Sequence, residues 1–490
     1  MKRMKKVFAV LLTLAMVLGM SITVFADPGT AVIPVDGAKE GTQYQYLQLI
    51  RPQASESTGW EFVNDAVAGN FTAALQASDA QTAIWMLIKS QDSSIAGPAD
   101  VTAATEAQIK AAITNVANGG YTLSEAAGTI TVSDAGMYYI RATAPGYTYN
   151  PMAAYVSFGY TGGVPSSLQT EGVTAKGTEI KTEKSSDEAD SVTEIGRIET
   201  YYVGSIVPFV PTSDSNRKYI VKDEITGGAA YEAKDGKMSL TVYYGAEGTT
   251  LEDLIASVKS ENPPAAGDTF TIDVTGTSFT ADLSAILENN THANQPIVIT
   301  YQAKVTDVTV GNDVSIGDGT NDSQFGSGSD KLFTGEITIT KKDSSDQDTF
   351  LEGAKFLISK GTENSKEYAK FDANNKFVEW VAVESEDLYV VTKADGTVKV
   401  EGLDEGTYHI EEKVAPDGYS INEKIEDVTL SVEGNKATAV LKAEREVLDT
   451  KLSSLPSTGG IGTTIFTIAG CLIMVAAAGL FFASRRKSAK

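Results

Sequence analysis

Three hydrophobic patterns succeed one another along this chain. The ends are nearly continuous apolar runs, Val7 to Val24 and Ile465 to Ala483. Between them, apolar positions recur at helical spacing in three places. After Ser78-Asp79, residues Ile84, Leu87 and Ile88 share a face. After Thr105, residues Ile109, Ala112, Ile113 and Val116 fall at i, i+3, i+4 and i+7, and the run stops at Gly119-Gly120. After Thr250, residues Leu251, Leu254, Ile255 and Val258 do the same. Most of the rest reads as strands: Thr129 to Val132, Met137 to Ala142, Tyr201 to Phe209, Lys218 to Lys222, Met238 to Tyr244, Phe270 to Val274 and Ile297 to Val305. Beyond Leu332 the strands are short, alternating and punctuated by turn signals such as Asp395-Gly396 and Asp417-Gly418, which reads as a β-sandwich. Trp60 and Trp85, with apolar neighbours, read as core residues.

The terminal runs read as processing segments. Lys2, Arg3, Lys5 and Lys6 precede the first, and Val24-Phe25-Ala26 offers a small-residue cleavage step. Residues 1–26 are therefore expected to be a secretory signal peptide, cut after Ala26. At the other end stand Leu455-Pro456-Ser457-Thr458-Gly459 (455–459), the apolar span 465–483 and a basic tail over 484–490. The span is long enough to cross a bilayer as a helix, and Arg485-Arg486-Lys487 would hold it on the cytoplasmic side. This order resembles the sortase sorting signal of Gram-positive bacteria. The resemblance implies cleavage between Thr458 and Gly459 and transfer of the Thr458 carbonyl to an amine. The plain alternative is a single-pass anchor.

The formal net charge of −24 becomes −32 once the eight basic residues of the two terminal segments are removed. Nucleic-acid binding needs the opposite sign; a solvated extracellular surface suits it. The only cysteine, Cys471, lies in the apolar span, so the secreted part holds no disulfide. His292 and His409 are far apart and lack cysteine partners, which argues against zinc. The Asn/Asp cluster from Gly311 to Asp322 lacks EF-hand spacing and a terminal glutamate. Neither a metal nor another cofactor is expected.

The secreted part divides into regions 27–172, 173–330 and 331–454, with the Gly/Ser/Asp-rich stretch Gly317 to Asp330 as the second boundary. In the third region Ile337, Ile339 and Lys341 share a strand face, and so do Tyr408, Ile410 and Glu412. Bare charges on apolar faces are costly. Burial lowers a lysine pKa and raises a glutamate pKa, by up to about 3–5 units when complete. A neutral amine is a nucleophile, and a protonated carboxyl can polarise a carbonyl. The alternative is a buried ion pair, which often costs more in desolvation than it returns.

Tyr408-His409-Ile410-Glu411-Glu412-Lys413-Val414-Ala415-Pro416-Asp417-Gly418-Tyr419 resembles the E-box of CnaB-like (SpaA-like) pilin domains. Ile337 to Lys341 and Leu351-Glu352-Gly353-Ala354-Lys355-Phe356 extend the resemblance over the whole region. It implies that a strand lysine, Lys341, condenses with an Asn or Asp on the last strand, promoted by a buried acid, Glu412. Asp449 follows Val447 by two and stands where the family usually carries Asn; an Asp forms the same amide with loss of water.

The middle region resembles the fimbrial isopeptide-forming domain of backbone pilins, through Val203 to Phe209, Tyr219-Ile220-Val221-Lys222-Asp223 and Ile299-Thr300-Tyr301-Gln302-Ala303. Asp223 shares a face with Tyr219 and Val221 and is the expected acid. Lys184, on a face with Ile180 and Thr182, is the expected nucleophile, with Lys181 as alternative. Asn321 is the expected acceptor, with Asn312 behind it; its glycine-rich setting equally suits a turn residue. In the first region Tyr138 to Tyr147 echoes the E-box, but Ala142 stands where Glu412 does, so no cross-link is expected there. Val173-Thr174-Ala175-Lys176 matches the V-x-x-K polymerisation motif of backbone pilins without the Tyr-Pro before the lysine or the Asn after it; Lys176 equally suits a solvated loop.

The resemblance implies an all-β chain of tandem immunoglobulin-like β-sandwich domains, with some helix in the first and a C-terminal transmembrane helix. It implies a major (backbone) pilin, displayed on the cell wall after a transient membrane-anchored stage and supporting adhesion. The implied partners are pilin-specific and housekeeping sortases, further copies of the chain, a peptidoglycan precursor and accessory or tip pilins. The alternative is a monomeric wall-anchored adhesin that binds a host protein or glycan. No Ser/His/Asp or Cys/His arrangement supports a turnover enzyme.

Overall fold

The computed structural model describes residues 29–452 and 461–487, apart from 92–94, 96, 127 and 162–163. The expected signal peptide with Ala26, and the motif Leu455 to Gly459, lie outside the described residues.

The first domain is an antiparallel sheet packed with helices. Its strand order is Val164–Gln169, Met152–Thr161, Gly136–Thr143, Gln43–Pro52 and Trp60–Phe62, with Ser124–Ala126 also against Gln43–Pro52. Helices Asp65–Leu75, Ala80–Gln91 and Glu106–Asn118 complete the core. The third starts at a reciprocal cap between Thr105 and Gln108, which satisfies two otherwise unpaired N–H groups. The first helix was not expected from the pattern. Gly69, Asn70 and Thr72 weaken its propensity, yet Val67, Phe71 and Leu75 are buried on one face. Trp60 and Trp85 are both buried.

The segment after this sheet stays with the first domain. Val173–Thr174 pairs in parallel with Val35–Asp36, and Gly177–Glu179 pairs antiparallel with Tyr147–Tyr149.

The second domain is one ladder folded on itself into two facing layers. One layer holds Glu183–Ser186, Ile198–Ile206, Pro296–Val305, Lys237–Tyr244 and Asp268–Thr275, with Ala229–Tyr231 against Pro296–Val305. The other holds Ser278–Asp282, Ile220–Gly227, Thr309–Gly317 and Gly326–Phe333. The chain passes between layers where Asp268–Thr275 turns into Ser278–Asp282. Tyr201, Val203, Ile299 and Tyr301 from one layer share a core with Val221, Phe279, Val314 and Ile316 from the other. The helix Leu251–Val258 lies outside, with Leu251 and Ile255 over Gly204.

The expected boundary at Gly317 to Asp330 is corrected. Only the turn between Gly317 and Gly326 is loop; Gly326–Phe333 is a strand paired along Thr309–Gly317. Its glycines are there because Thr182 and Lys184 of the neighbouring segment pass close over Gly326 and Gly328. The third domain starts at the strand Gly335–Asp343.

The third domain is a two-sheet sandwich. One sheet runs Thr397–Leu403, Gly335–Asp343, Leu441–Lys451 and Tyr419–Ser420. The other runs Phe377–Val381, Glu367–Phe371, Lys355–Lys360, Gly406–Val414 and Glu426–Leu430. The first and last strands of the domain pair in parallel, which sets Lys341 against Val447 and Asp343 against Asp449. A C-terminal helix spans Ile461–Lys487; its segment Ile465–Ser484, of mean hydropathy 2.4, is long and apolar enough to cross a membrane.

Candidate functional site

Among the described residues, Lys184 and Lys341 are the buried lysines; at the centre of its sandwich Lys341 meets two carboxyl groups and Lys184 a carboxyl and an amide. In the third domain the alternation of Gly335–Asp343 turns Ile337, Ile339 and Lys341 inward, and that of Gly406–Val414 turns Tyr408, Ile410 and Glu412 inward. Lys341 Nζ donates to Glu412 Oε2 at 2.9 Å and to Asp449 Oδ1. All three side chains are sealed from solvent. The Asn422 N–H donates to Glu412 Oε2 at 2.8 Å.

Two carboxylates around one ammonium would leave a net negative charge in the core. Burial pushes the Glu412 carboxyl up to about 7, against the lowering by Lys341 and the Asn422 N–H. A proton there balances the cluster. Among the described residues Glu412 Oε1 and Asp449 Oδ2 find no hydrogen-bond partner, and a buried polar atom without one costs on the order of 1–3 kcal/mol. Condensation of Nζ with the Asp449 carboxyl would expel one oxygen as water and so remove part of that cost.

In the second domain Lys184 enters from Glu183–Ser186, Asp223 from Ile220–Gly227 and Asn312 from Thr309–Gly317. The register sets Asp223 opposite Val314 and Ile225 opposite Asn312, so Asp223 and Asn312 are diagonal neighbours on one inner face. Lys184 Nζ donates to Asp223 Oδ2 at 2.5 Å and to Asn312 Oδ1 at 2.7 Å. Asp223 also accepts from Tyr231 at 2.8 Å on Oδ1 and from Tyr301 at 2.7 Å on Oδ2. Asn312 Nδ2 donates to the Tyr301 hydroxyl at 3.0 Å. Burial lowers the Lys184 pKa, opposed by Asp223; burial raises the Asp223 pKa, opposed by Lys184 and the two tyrosines. Both directions favour the neutral amine beside the neutral acid.

Asn321 is corrected. It is exposed in the turn after Gly317, where its Oδ1 accepts from the Ser323 N–H at 3.1 Å and its Nδ2 donates to Gln324. Asn312 occupies the position at the lysine. The sequence carried a signal for this: Val310, Asn312, Val314 and Ile316 alternate on one buried face. Lys181, the alternative nucleophile, is exposed and faces Glu179 at 3.7 Å. Tyr231 and Tyr301, the hydroxyls that hold Asp223, were not anticipated. They stand among apolar neighbours on their strands, where a tyrosine reads as core.

Ala142 is buried in the first domain's sheet, without a carboxyl to offer. Lys176 is exposed in the short connection between Val173–Thr174 and Gly177–Glu179. Both flanks are fixed to the first domain: the Ala175 N–H donates to Asp36 O at 2.7 Å, and the Lys176 carbonyl accepts from the Asn150 N–H.

Residues 335–445 match the family model described as SpaA, a prealbumin-like fold domain, and residues 448–490 match the LPXTG cell wall anchor motif. The trypsin-resistant surface T6 protein of Streptococcus pyogenes serotype M6 is 37% identical over 62 residues, which is 13% of this chain and 12% of that protein's length. Among solved structures, the T6 backbone pilin of serotype M6 Streptococcus pyogenes aligns over 83% of this chain and 81% of its own, at 17% identity and a TM-score of 0.46. The major pilin SpaA of Corynebacterium diphtheriae aligns over 86% of this chain and 100% of its own, at 13% identity and a TM-score of 0.39.

Proposed function

We propose that this chain is the structural backbone subunit of a covalently polymerised, sortase-assembled pilus on a Gram-positive cell surface. The observation that carries the reading is the pair of buried lysine clusters, one in each of two successive β-sandwiches, ahead of a wall-anchor segment. A subunit in a tensile shaft resists extension best when each domain is closed by a bond that does not reduce. A Lys184–Asn312 bond would close 128 positions and a Lys341–Asp449 bond 108. Such closure restricts the unfolded chain as a disulfide does.

The chemistry is a single event in each domain. Neutral Lys184 attacks Asn312 Cγ, with ammonia leaving; Lys341 attacks Asp449 Cγ, with water leaving. Asp223 and Glu412, protonated beside the lysines, give a proton and recover it. The chain turns over no substrate. A sortase would cut after Thr458 and pass that acyl group to Lys176 of the next copy, and to a peptidoglycan precursor at the base. Exposure of Lys176 between two fixed strands supports its part, since a nucleophile on a tethered loop is presented without a large ordering cost.

The test is the intact mass of the full-length chain with tryptic mapping. The expected result is loss of one ammonia and one water, with Lys184 joined to Asn312 and Lys341 joined to Asp449. An unmodified mass removes the staples. Staples without a sortase-dependent ladder of linked subunits would favour the monomeric wall-anchored adhesin.

A further inference from the structure

The four groups around Lys184 form a closed ring. Lys184 Nζ reaches Asp223 Oδ2 at 2.5 Å; that same oxygen accepts from the Tyr301 hydroxyl at 2.7 Å; the Tyr301 oxygen accepts from Asn312 Nδ2 at 3.0 Å; and Asn312 Oδ1 returns to Lys184 Nζ at 2.7 Å. Resting on the staple reading above, we infer that Tyr301 is a catalytic residue of the cross-linking step, handing a proton from Asp223 to the departing nitrogen of Asn312.

The need for a relay follows from where Asp223 points. Its Oδ1 is taken by Tyr231 and its Oδ2 by Lys184 and Tyr301. Among the described residues no hydrogen bond joins Asp223 to Asn312. The acid thus sits at the nucleophile, and among the described residues only Tyr301 is hydrogen-bonded to both the acid and the leaving nitrogen.

The step balances as follows. The Nζ–Cγ bond forms, and Cγ becomes tetrahedral. Asp223 enters protonated, so the proton that Nζ sheds passes to Asn312 Oδ1, which Nζ already contacts, and returns to Asp223 when the carbonyl reforms. The Asn312 nitrogen, no longer conjugated, has a lone pair that accepts the Tyr301 hydroxyl proton. Asp223 reprotonates Tyr301, the Cγ–Nδ2 bond breaks, and ammonia leaves. The phenol begins and ends neutral. Burial and the Asp223 charge raise its pKa well above the ordinary value, so it passes a proton in concert and never as a free phenolate.

The experiment follows the Lys184–Asn312 peptide in tryptic digests of full-length chain, sampled at intervals after cell-free synthesis. Tyr301→Phe keeps the ring that packs on Tyr201 and Phe279, with centroids 5.6 and 5.4 Å away. It is expected to slow the peptide's appearance by about 100-fold or more, the usual scale of general acid–base catalysis. Tyr231→Phe removes a donor to the same carboxylate but no relay, and is expected to slow it less than about tenfold. Equal slowing in the two variants, or none in Tyr301→Phe, overturns the relay. As a control independent of folding, fluorinated tyrosines at position 301 keep the shape and change the phenol acidity. A graded rate supports the relay and a flat one overturns it. Absence of the peptide from the wild-type chain would instead remove the staple, and the relay with it.

Discussion

Lys341 and Asp449 stand on adjacent parallel strands, the first and last of their domain, with Nζ hydrogen-bonded to the carboxyl and both side chains sealed from solvent. The parallel register places Lys341 beside Val447, so Asp449 lies two residues on, on the same inner face. A bond there ties the domain's two ends together at its core. Stretching the chain would load that bond before the strands between could peel apart.

Loss of this closure should be measurable as stability. Lys341→Ala removes the nucleophile, and the 108-position loop is no longer closed in the unfolded state. By analogy with a disulfide of similar span, the domain should lose about 4–5 kcal/mol. Calorimetry should show its transition falling by more than about 10 °C. An unchanged transition would mean that no bond forms.

The acceptor in the second domain can be identified by two alanines. Asn312→Ala should abolish the loss of ammonia, whereas Asn321→Ala should leave it intact. Asn312→Asp should restore a cross-link with loss of water in place of ammonia. Mass spectrometry of the intact chain reads all three.

Glu412 gives a pH dependence whose sign is set by its raised pKa. The folded value of about 7 lies above the ordinary 4.5, so the folded domain holds this proton more tightly than the unfolded chain. The contribution favours folding fully below about pH 4.5 and is lost as pH rises through about 7. In the uncross-linkable Asp449→Ala background, urea midpoints should fall over that window relative to Asp449→Ala/Glu412→Gln. Parallel curves would contradict the assignment.

Gly328 is a positioning residue for Lys184. A Cβ at 328 would lie 3.0 Å from the Lys184 backbone nitrogen and 3.3 Å from its Cβ. Gly328→Val should displace the lysine strand at an overpacking cost of about 1–3 kcal/mol. Timed tryptic mapping should then show slower Lys184–Asn312 bond formation while the Lys341–Asp449 bond forms at its normal rate.

Polymerisation should depend on Lys176 alone among the lysines named here. Lys176→Ala should abolish the detergent-resistant ladder formed with a pilin sortase and leave both internal cross-links in place. A persistent ladder would assign the acceptor to another lysine.

Much of this was written in local pattern. Alternation marked Lys341, Glu412, Lys184 and Asp223, because a charged residue in an apolar row must be buried with its neighbours. The order of apolar span and basic tail marked the anchor in the same way. Pairing across the sandwich was not local. The apolar row of Val310, Asn312, Val314 and Ile316 marks Asn312 for burial, but nothing within that strand says that it meets Lys184; the register between Ile220–Gly227 and Thr309–Gly317 decides it. The Gly/Ser run after Gly317 read as a linker because glycine marks turns, yet it includes a strand whose glycines admit a neighbouring backbone. Tyr231 and Tyr301 became proton donors only when folding brought their hydroxyls to a buried carboxylate. The sequence by itself determined which side chains must leave water, since that follows from periodicity and the cost of a bare charge. Only the tertiary structure decided which of them meet, because contacts between residues over a hundred positions apart are set by strand order and register.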